Sequence, residues 1–168
     1  MGRKTFFLAF FALWAASAAA GEATIQSCSD GDTCAVQVAG FAFKVRLIGV
    51  DAPEMGRRKG EGQPFAREAK DALNRMVAGK RLEIAQHGLD GYNRPLVTIR
   101  LEDGDMANER LVAAGLAEVY EGPSKYDTSR LRYLQDRAKS EGRGMWSLGS
   151  KYVSPYLYRK RARLSAEE

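Results

Sequence analysis

The chain has 168 residues, of which 26 are Lys or Arg, 21 are Asp or Glu and one is His. This length suggests one domain with or without appendages, and a hydrophobic fraction of 45% indicates a globular chain. The single histidine, His87, excludes multi-histidine zinc sites. The two cysteines exclude four-cysteine zinc sites and cysteine-ligated iron–sulfur clusters. Chemistry must therefore come mainly from carboxylates, arginines and tyrosines.

Residues 1–20 are typical of a secretory signal peptide. Arg3 and Lys4 precede an apolar run that ends in small residues at 16–20. A membrane anchor is less favoured because the run is shorter than the ~20 apolar residues that span a bilayer. An acylated lipoprotein cysteine at Cys28 is also less favoured, since a polar stretch separates it from the run. We expect a periplasmic or secreted protein that has no membrane segment after cleavage.

The positive charge lies at the two ends of the chain. Residues 21–150 contain 19 cations and 19 acids, whereas residues 151–168 contain five cations and two acids. Overall charge is therefore weak evidence for a nucleic-acid partner, and the placement of individual charges must decide. The segment 151–168 is interpreted as a basic C-terminal tail, which either contacts DNA or is a disordered end.

The intervening segment, 21–150, predicts a mainly β domain with helices. Short runs bounded by glycine-containing turns predict strands over 24–28, 34–38, 42–50, 81–86 and 94–101. Helical patterns begin at residues 64, 105 and 128 or 129 and end near the glycines at 79, 115 and 142. Elements in this order suit a small, closed, five-stranded Greek-key barrel that carries three helices.

A turn motif lies between the first two predicted strands. Residues 30–33 read Asp-Gly-Asp-Thr, and the simpler interpretation is a hairpin turn, because Asp-Gly is a strong turn signal. A calcium-binding EF-hand loop is excluded, since Cys34 occupies a position that this loop reserves for an oxygen ligand.

The third predicted strand carries unusual charges. Arg46 lies within an apolar segment, and Asp51 and Glu54 follow at its end. Burying such charges costs free energy unless they meet partners, although a turn with solvated acids would also explain them. Considered together with Asp32, these residues offer hard oxygen ligands for calcium and an arginine fork for phosphate.

Two further loops supply cations. Residues 90–96 place Tyr92 and Arg94 before the fifth predicted strand, where a polar hairpin loop is the simpler interpretation. Arg57, Arg58 and Lys59 follow Glu54 closely in a glycine-rich segment. We expect these three cations to contact the phosphates of a polymeric substrate, the alternative being a solvated loop.

These motifs resemble those of the staphylococcal-nuclease-like (thermonuclease) family. Its first signature is an Asp-Gly-Asp-Thr turn followed by an arginine-containing strand that ends in Asp-x-Pro-Glu, and residues 30–54 fit it in residue types and spacing. Its second signature is an Asp-[Lys/Arg]-Tyr-Gly-Arg-like loop, which residues 90–94 fit except at Gly91 and Asn93. The resemblance spans roughly residues 24–148.

The resemblance implies a calcium-dependent phosphodiesterase on an OB-fold barrel, which cleaves DNA and RNA and leaves 3′-phosphate ends. It implies that Asp32, Asp51 and the carbonyl of Ala52 bind Ca²⁺. It also implies that Glu54 is the general base and that Arg46 and Arg94 hold the phosphate. Tyr92 would contact the phosphate or the nucleotide. The alternative is a catalytically inactive OB-fold module that binds nucleic acid or protein; it predicts that at least one of these positions is lost, and none is. We expect a monomer.

The two cysteines predict a disulfide. Cys28 and Cys34 are placed symmetrically about a turn, so a hairpin would bring them opposite each other, and export permits the bond. Cys34 also departs from the family pattern, which has an aliphatic residue there. The alternative is a pair of small buried hydrophobic side chains.

Overall fold

The computed structural model describes residues 20–56 and 62–164. Five strands close a barrel in the order β1-β2-β3-β6-β5, and they are β1 (Ala20–Cys28), β2 (Thr33–Val38), β3 (Phe41–Leu47), β5 (Arg81–Leu89) and β6 (Pro95–Arg100). Two short strands form a separate pair, β4 (Val50–Asp51) and β7 (Glu118–Val119). The helices are α1 (Ala66–Val77), α2 (Ala107–Ala113), α3 (Ser129–Ser140), a 3₁₀ segment (Gly144–Lys151) and α4 (Pro155–Leu164).

The predicted five-stranded OB-type barrel is confirmed. Antiparallel pairing joins β1 to β2, β2 to β3, β5 to β6 and β1 to β5. A parallel pairing of β3 with β6 closes the barrel at Arg46–Leu96 and Leu47–Val97. Closure leaves no unpaired strand edge in the barrel and fixes β3 beside β6. The three predicted helices are present, and α4 is an addition that the sequence did not predict.

The structure divides the segment that the sequence predicted as one strand over 42–50. Gly49 has φ 76°, a conformation that side-chain-bearing residues rarely adopt, and a Cβ there would lie 2.8 Å from Leu131. The chain therefore leaves the barrel after Leu47, and Val50 pairs with Val119 of β7 instead. This turn carries Asp51 away from the β3 ladder to the open end of the barrel.

The core lies inside the barrel and beneath α1, α2 and α3. The apolar stripe of α1 is formed by Ala66, Ala69, Leu73 and Val77, all buried. The helix begins at Ala66 because Phe65, with φ 70°, adopts a left-handed conformation outside it. The barrel contributes β-branched residues and leucines to the same cluster. This core supports one end of the barrel, where the charged residues predicted for the site meet.

The structure joins Cys28 to Cys34 in a disulfide across the β1–β2 hairpin. We expect the Cys28→Ala/Cys34→Ala variant to unfold with a free energy about 2 kcal/mol lower, because the bond restricts the unfolded chain. Urea unfolding of the wild type, oxidised and then reduced, provides the comparison. An identical midpoint for the oxidised and reduced wild-type protein would contradict a stabilising bond.

None of the helices in the described ranges is long and apolar enough to cross a membrane. The predicted signal segment falls almost wholly on residues 1–19, outside the described residues. Arg57, Arg58 and Lys59 also lie outside them, so their predicted phosphate contacts stay a prediction.

Candidate active site

Three strands bring two acids and one arginine together at the open end of the barrel. Asp32 precedes β2, Arg46 lies on β3 and Asp51 ends β4. Arg46 Nη1 donates to Asp32 Oδ1 at 3.0 Å and Nη2 donates to Asp51 Oδ1 at 2.9 Å. The pairing of Thr33 with Arg46 on the β2–β3 ladder sets this geometry. The charges in the apolar strand therefore have partners, as burial requires.

A tight turn fixes the position of Asp32. The Asp30 carboxylate accepts a hydrogen bond from the Asp32 backbone N–H at 3.0 Å. The Ala52 backbone N–H donates to Asp32 Oδ2 at 3.1 Å. At Gly31 an added Cβ would lie 2.6 Å from the Ala52 Cβ and 2.7 Å from the Ala69 Cβ, so only glycine fits there. The turn motif thus packs Asp32 directly against the segment that follows β4.

Glu54 is held by a residue that sequence reasoning missed, Gln63. The Glu54 backbone N–H donates to Gln63 Oε1 at 2.8 Å, and the Gln63 N–H donates to the Glu54 carbonyl at 2.9 Å. Gln63 Nε2 donates to the Val153 carbonyl at 2.9 Å. Gln63 is buried, so it ties the Glu54 segment to the chain just before α4. A lone glutamine before a helix carries no sequence signal for this role.

The β5–β6 turn positions Arg94. The Asp90 carboxylate accepts hydrogen bonds from the backbone N–H groups of Tyr92 and Arg94, at 2.8 and 2.9 Å. It also accepts one from Arg94 Nε at 2.7 Å. Because β6 runs parallel beside β3, Arg94 lies at the same barrel end as Arg46, and its Nη1 is 3.5 Å from Thr33 Oγ1. Tyr92 is 75% exposed, and the Arg94 guanidinium lies 5.5 Å from the centre of its ring.

Helix α4 contributes an arginine that sequence reasoning did not assign to the site. Arg159 Nη1 donates to Asp51 Oδ1 at 2.9 Å and to Glu54 Oε1 at 2.6 Å. Arg159 Nη2 donates to Asp51 Oδ2 at 2.8 Å. Hydrogen bonds to Asp51 are the main cause of the raised pKa of Arg159. Burial opposes this shift, and the hydrogen bond to Glu54 adds to it. The basic composition of 151–168 is the only sequence signal for this contact.

Most of these residues line one cleft of about 860 Å³, a size typical of ligand sites, while Asp51 lies behind it against Arg46. Its lining includes the predicted side chains Asp32, Arg46, Glu54, Tyr92 and Arg94, together with Ala52. His87 lies elsewhere, with its Nε2 3.0 Å from Thr98 Oγ1. The structure thus brings the candidate residues of both sequence signatures to a single opening.

The donor set fits a hard divalent cation such as calcium. Asp32 and Asp51 are only 4% and 2% exposed, and the backbone of Ala52 runs beside them. Burial raises the pKa of the Asp32 carboxyl to about 7, while Arg46 opposes this shift. A divalent cation would act in the same direction as Arg46: it would stabilise the ionised form of Asp32 and lower this pKa. Within 20–56 and 62–164 no cluster of three or more His, Cys, Asp or Glu side chains encloses an ion, so water or phosphate oxygens would complete the coordination.

Behind Asp51 lies a half-buried carboxyl group. Glu118 pairs with Asp51 across the β4–β7 strands and accepts a hydrogen bond from the Tyr152 hydroxyl. Burial raises the pKa of Glu118 from 4.5 to about 7; the Tyr152 hydrogen bond opposes this and the charge of Asp51 adds to it. Glu118 and Tyr152 thus join the floor of the site to the segment before α4.

Glu118 is expected to make stability depend on pH. Because its pKa is higher in the folded protein, the folded state holds the proton more tightly between pH 4.5 and about 7. Its contribution to stability is complete below pH 4.5 and is lost as the pH rises through 7. The free energy of unfolding of Glu118→Gln, measured in urea, should therefore rise relative to that of wild type as the pH increases from 5 to 8. Glu68→Gln, an exposed change on α1, is the control, and equal pH profiles for wild type and Glu118→Gln would contradict the shift.

The part of the chain that contains most of these residues is similar to a known protein family. The family described as "Staphylococcal nuclease homologue" matches residues 44–148. That range contains Arg46, Asp51, Glu54 and Arg94, while Asp32 precedes it.

Several curated relatives carry endonuclease names. A protein of Escherichia coli O157:H7 named "Uncharacterized endonuclease" is 35% identical over 133 residues, which cover 79% of this chain and 80% of the relative. "Probable endonuclease LCL3" of Clavispora lusitaniae is 38% identical over 125 residues, 69% of this chain and 53% of the relative. "Probable endonuclease lcl3" of Schizosaccharomyces japonicus is 37% identical over 129 residues, 71% of this chain and 55% of the relative. The chain spans about half the length of the two yeast relatives.

Proposed function

Because this chain belongs to the staphylococcal nuclease homologue family, we propose that it is a calcium-dependent nuclease that hydrolyses phosphodiester bonds of DNA and RNA. One observation carries the proposal: Asp32, Glu54 and two arginines from separate strands and loops line one cleft, and the buried Asp51 lies directly behind it, paired with Arg46. Fold alone does not determine function, but this set of side chains suits phosphate chemistry without histidine.

Asp32, Asp51 and the Ala52 carbonyl would hold the calcium ion, which supplies positive charge that stabilises the transition state when bound. Arg46 reaches toward the cleft from β3, and its planar fork matches phosphate oxygens. Its contacts with Asp32 and Asp51 keep the guanidinium oriented before substrate arrives. The protein thus supplies positive charge where the phosphate becomes five-coordinate.

Glu54 acts as the general base in this proposal. It accepts a proton from the water whose oxygen forms the new bond to phosphorus. The bond from phosphorus to the 5′ oxygen breaks, and that oxygen takes up a proton, which leaves a 3′-phosphate and a 5′-hydroxyl. A carboxylate is a weak base near neutral pH, so charge stabilisation by Arg46 and Arg94 must lower most of the barrier.

Residues 1–20 support a proposal that the protein is exported. The charged start and short apolar run suit a signal peptide, and the Cys28–Cys34 disulfide suits an oxidising compartment. The working form would be a periplasmic or secreted monomer. Intact mass after cell fractionation tests this: a protein confined to the cytosol would contradict export, and an exported protein that retains residues 1–20 would contradict cleavage.

Incubation of the purified protein with plasmid DNA and with RNA tests the proposed activity. We expect cleavage of both with calcium and none with EDTA. EDTA-resistant cleavage would overturn the metal requirement. Binding to both polymers without cleavage in calcium would instead favour the inactive OB-fold module.

A further inference from the structure

Helix α4 forms a basic wall of the catalytic cleft. Its sequence, Pro155–Leu164, contains four cations and no acid. Tyr156, Arg159, Lys160 and Arg163 line the same cleft as Arg46 and Arg94. Only Pro155 of the helix is buried. The helix is therefore attached at its start, and most of its side chains remain available to a ligand.

Two of these cations have side chains without a partner among residues 20–56 and 62–164. The side chains of Lys160 and Arg163 make no ion pair or hydrogen bond in the described ranges, whereas Arg159 is paired with Asp51 and Glu54. Unpaired cations around a phosphate-binding cleft repel one another, and a polyanion would relieve that repulsion.

Three exposed tyrosine rings also line the cleft, and the least exposed of them, Tyr120, is 38% exposed. Tyr156 on α4 is 60% exposed and Tyr92 on the β5–β6 turn is 75% exposed. Exposed rings interleaved with cations are the means by which proteins bind single-stranded nucleic acid, through base stacking and phosphate contacts. A folded duplex cannot stack its paired bases on such rings.

We propose that α4 is a second nucleic-acid-binding element, which holds a single strand across the cleft. Lys160 and Arg163 contact phosphates that flank the cleaved one, and Tyr156 stacks on a base. This inference rests on the proposed nuclease function and assigns to it a substrate-binding surface outside the motif residues.

The test measures binding separately from cleavage. In a Glu54→Gln background, a fluorescent single-stranded oligonucleotide is titrated in calcium at several salt concentrations. Lys160→Ala/Arg163→Ala should weaken binding and reduce the salt slope by about 1.4, because each single-strand phosphate contact adds about 0.7. Lys44→Ala/Arg75→Ala removes two exposed cations that do not line the cleft, and it should leave the slope at its original value.

An unchanged salt slope in the Lys160→Ala/Arg163→Ala variant, or an equal fall in the control, would overturn the proposal that α4 binds nucleic acid. That result leaves the nuclease proposal intact as long as the wild-type protein cleaves. Absence of cleavage by wild type in calcium would overturn the nuclease proposal instead, whatever the binding slopes are.

Arg159 differs from the other cations of α4 because it contacts the acids of the site. Its guanidinium engages both oxygens of Asp51 and one oxygen of Glu54. A metal ion bound to Asp51 and a water activated by Glu54 would approach these same oxygens. Arg159, which is the second arginine on Asp51 besides Arg46, therefore competes with both.

We infer that Arg159 is an internal counter-ion that competes with calcium for Asp51 and keeps Glu54 from acting as a base. Calcium binding releases the guanidinium into the cleft, where it joins Lys160 on the phosphates of the substrate. The helix thus lowers the activity of the protein at low calcium concentration.

Calcium titration by calorimetry, without nucleic acid, tests this competition. Arg159→Gln should tighten calcium binding by about tenfold or more, because a bidentate charged contact no longer has to break. Lys160→Gln removes the same charge from the same helix without touching the acids, and it should produce a much smaller change. Unchanged or weaker calcium binding in Arg159→Gln, or an equal gain in Lys160→Gln, would overturn the inference.

Discussion

Replacing Glu54 by glutamine is expected to lower turnover by about 10²-fold or more, because the amide keeps the shape of the side chain but cannot accept the proton of water. The backbone contacts of Glu54 with Gln63 do not involve its carboxylate, so the local backbone should persist, while the charged contact of Glu54 with Arg159 becomes a neutral one. The measurement is the single-turnover rate on a short oligonucleotide at saturating calcium.

Binding measurements decide how that loss is interpreted. Calcium and nucleotide affinities of Glu54→Gln should survive, and Glu102→Gln, an exposed change paired with Lys80, should retain the wild-type rate. A parallel loss of calcium affinity and rate would instead identify Glu54 as a metal ligand or a structural group.

Arg46→Lys is expected to lower turnover by about 10²–10³-fold, the scale seen when one charge-stabilising group is removed. The Arg46 guanidinium spans Asp32 and Asp51 with separate nitrogens, at 3.0 and 2.9 Å, and an ammonium group cannot match this fork. The variant should therefore lose both the phosphate contact and part of the orientation of the two acids. Rate and calcium affinity, measured together, report these two losses.

Arg100→Lys is the matched control for this substitution. Arg100 lies on β6, is paired with Glu83 at 3.4 Å on the exposed barrel surface, and should tolerate lysine with a wild-type rate. A near-full rate in Arg46→Lys would remove Arg46 from the phosphate-binding role.

Much of the barrel could be predicted from the sequence because its signals are local. Alternation over β3 and the Asp-Gly turn before Asp32 depend on neighbours within a few residues. The motif residues Arg46, Asp51 and Glu54 lie on one short segment, so their proximity follows from chain connectivity. The break at Gly49, where φ is 76°, was missed because the strand beyond it pairs through Val50 with Val119, a partner far away in the sequence.

The residues that sequence reasoning missed act across long separations. Gln63 contacts Val153 across 90 positions, and Arg159 contacts Asp51 across 108. Periodicity along the chain carries no information on such contacts. They depend on where α4 lies against the barrel, and this placement depends on packing around the 3₁₀ segment and Tyr152.

Mass analysis of a defined oligonucleotide after incubation with the protein tests the central claim most directly. With calcium, we predict fragments that carry 3′-phosphate and 5′-hydroxyl ends, and with EDTA the intact oligonucleotide. The Glu54→Gln protein, prepared in parallel, should release the same fragments far more slowly. Fragments with 5′-phosphate ends, or equal cleavage with and without calcium, would contradict the account.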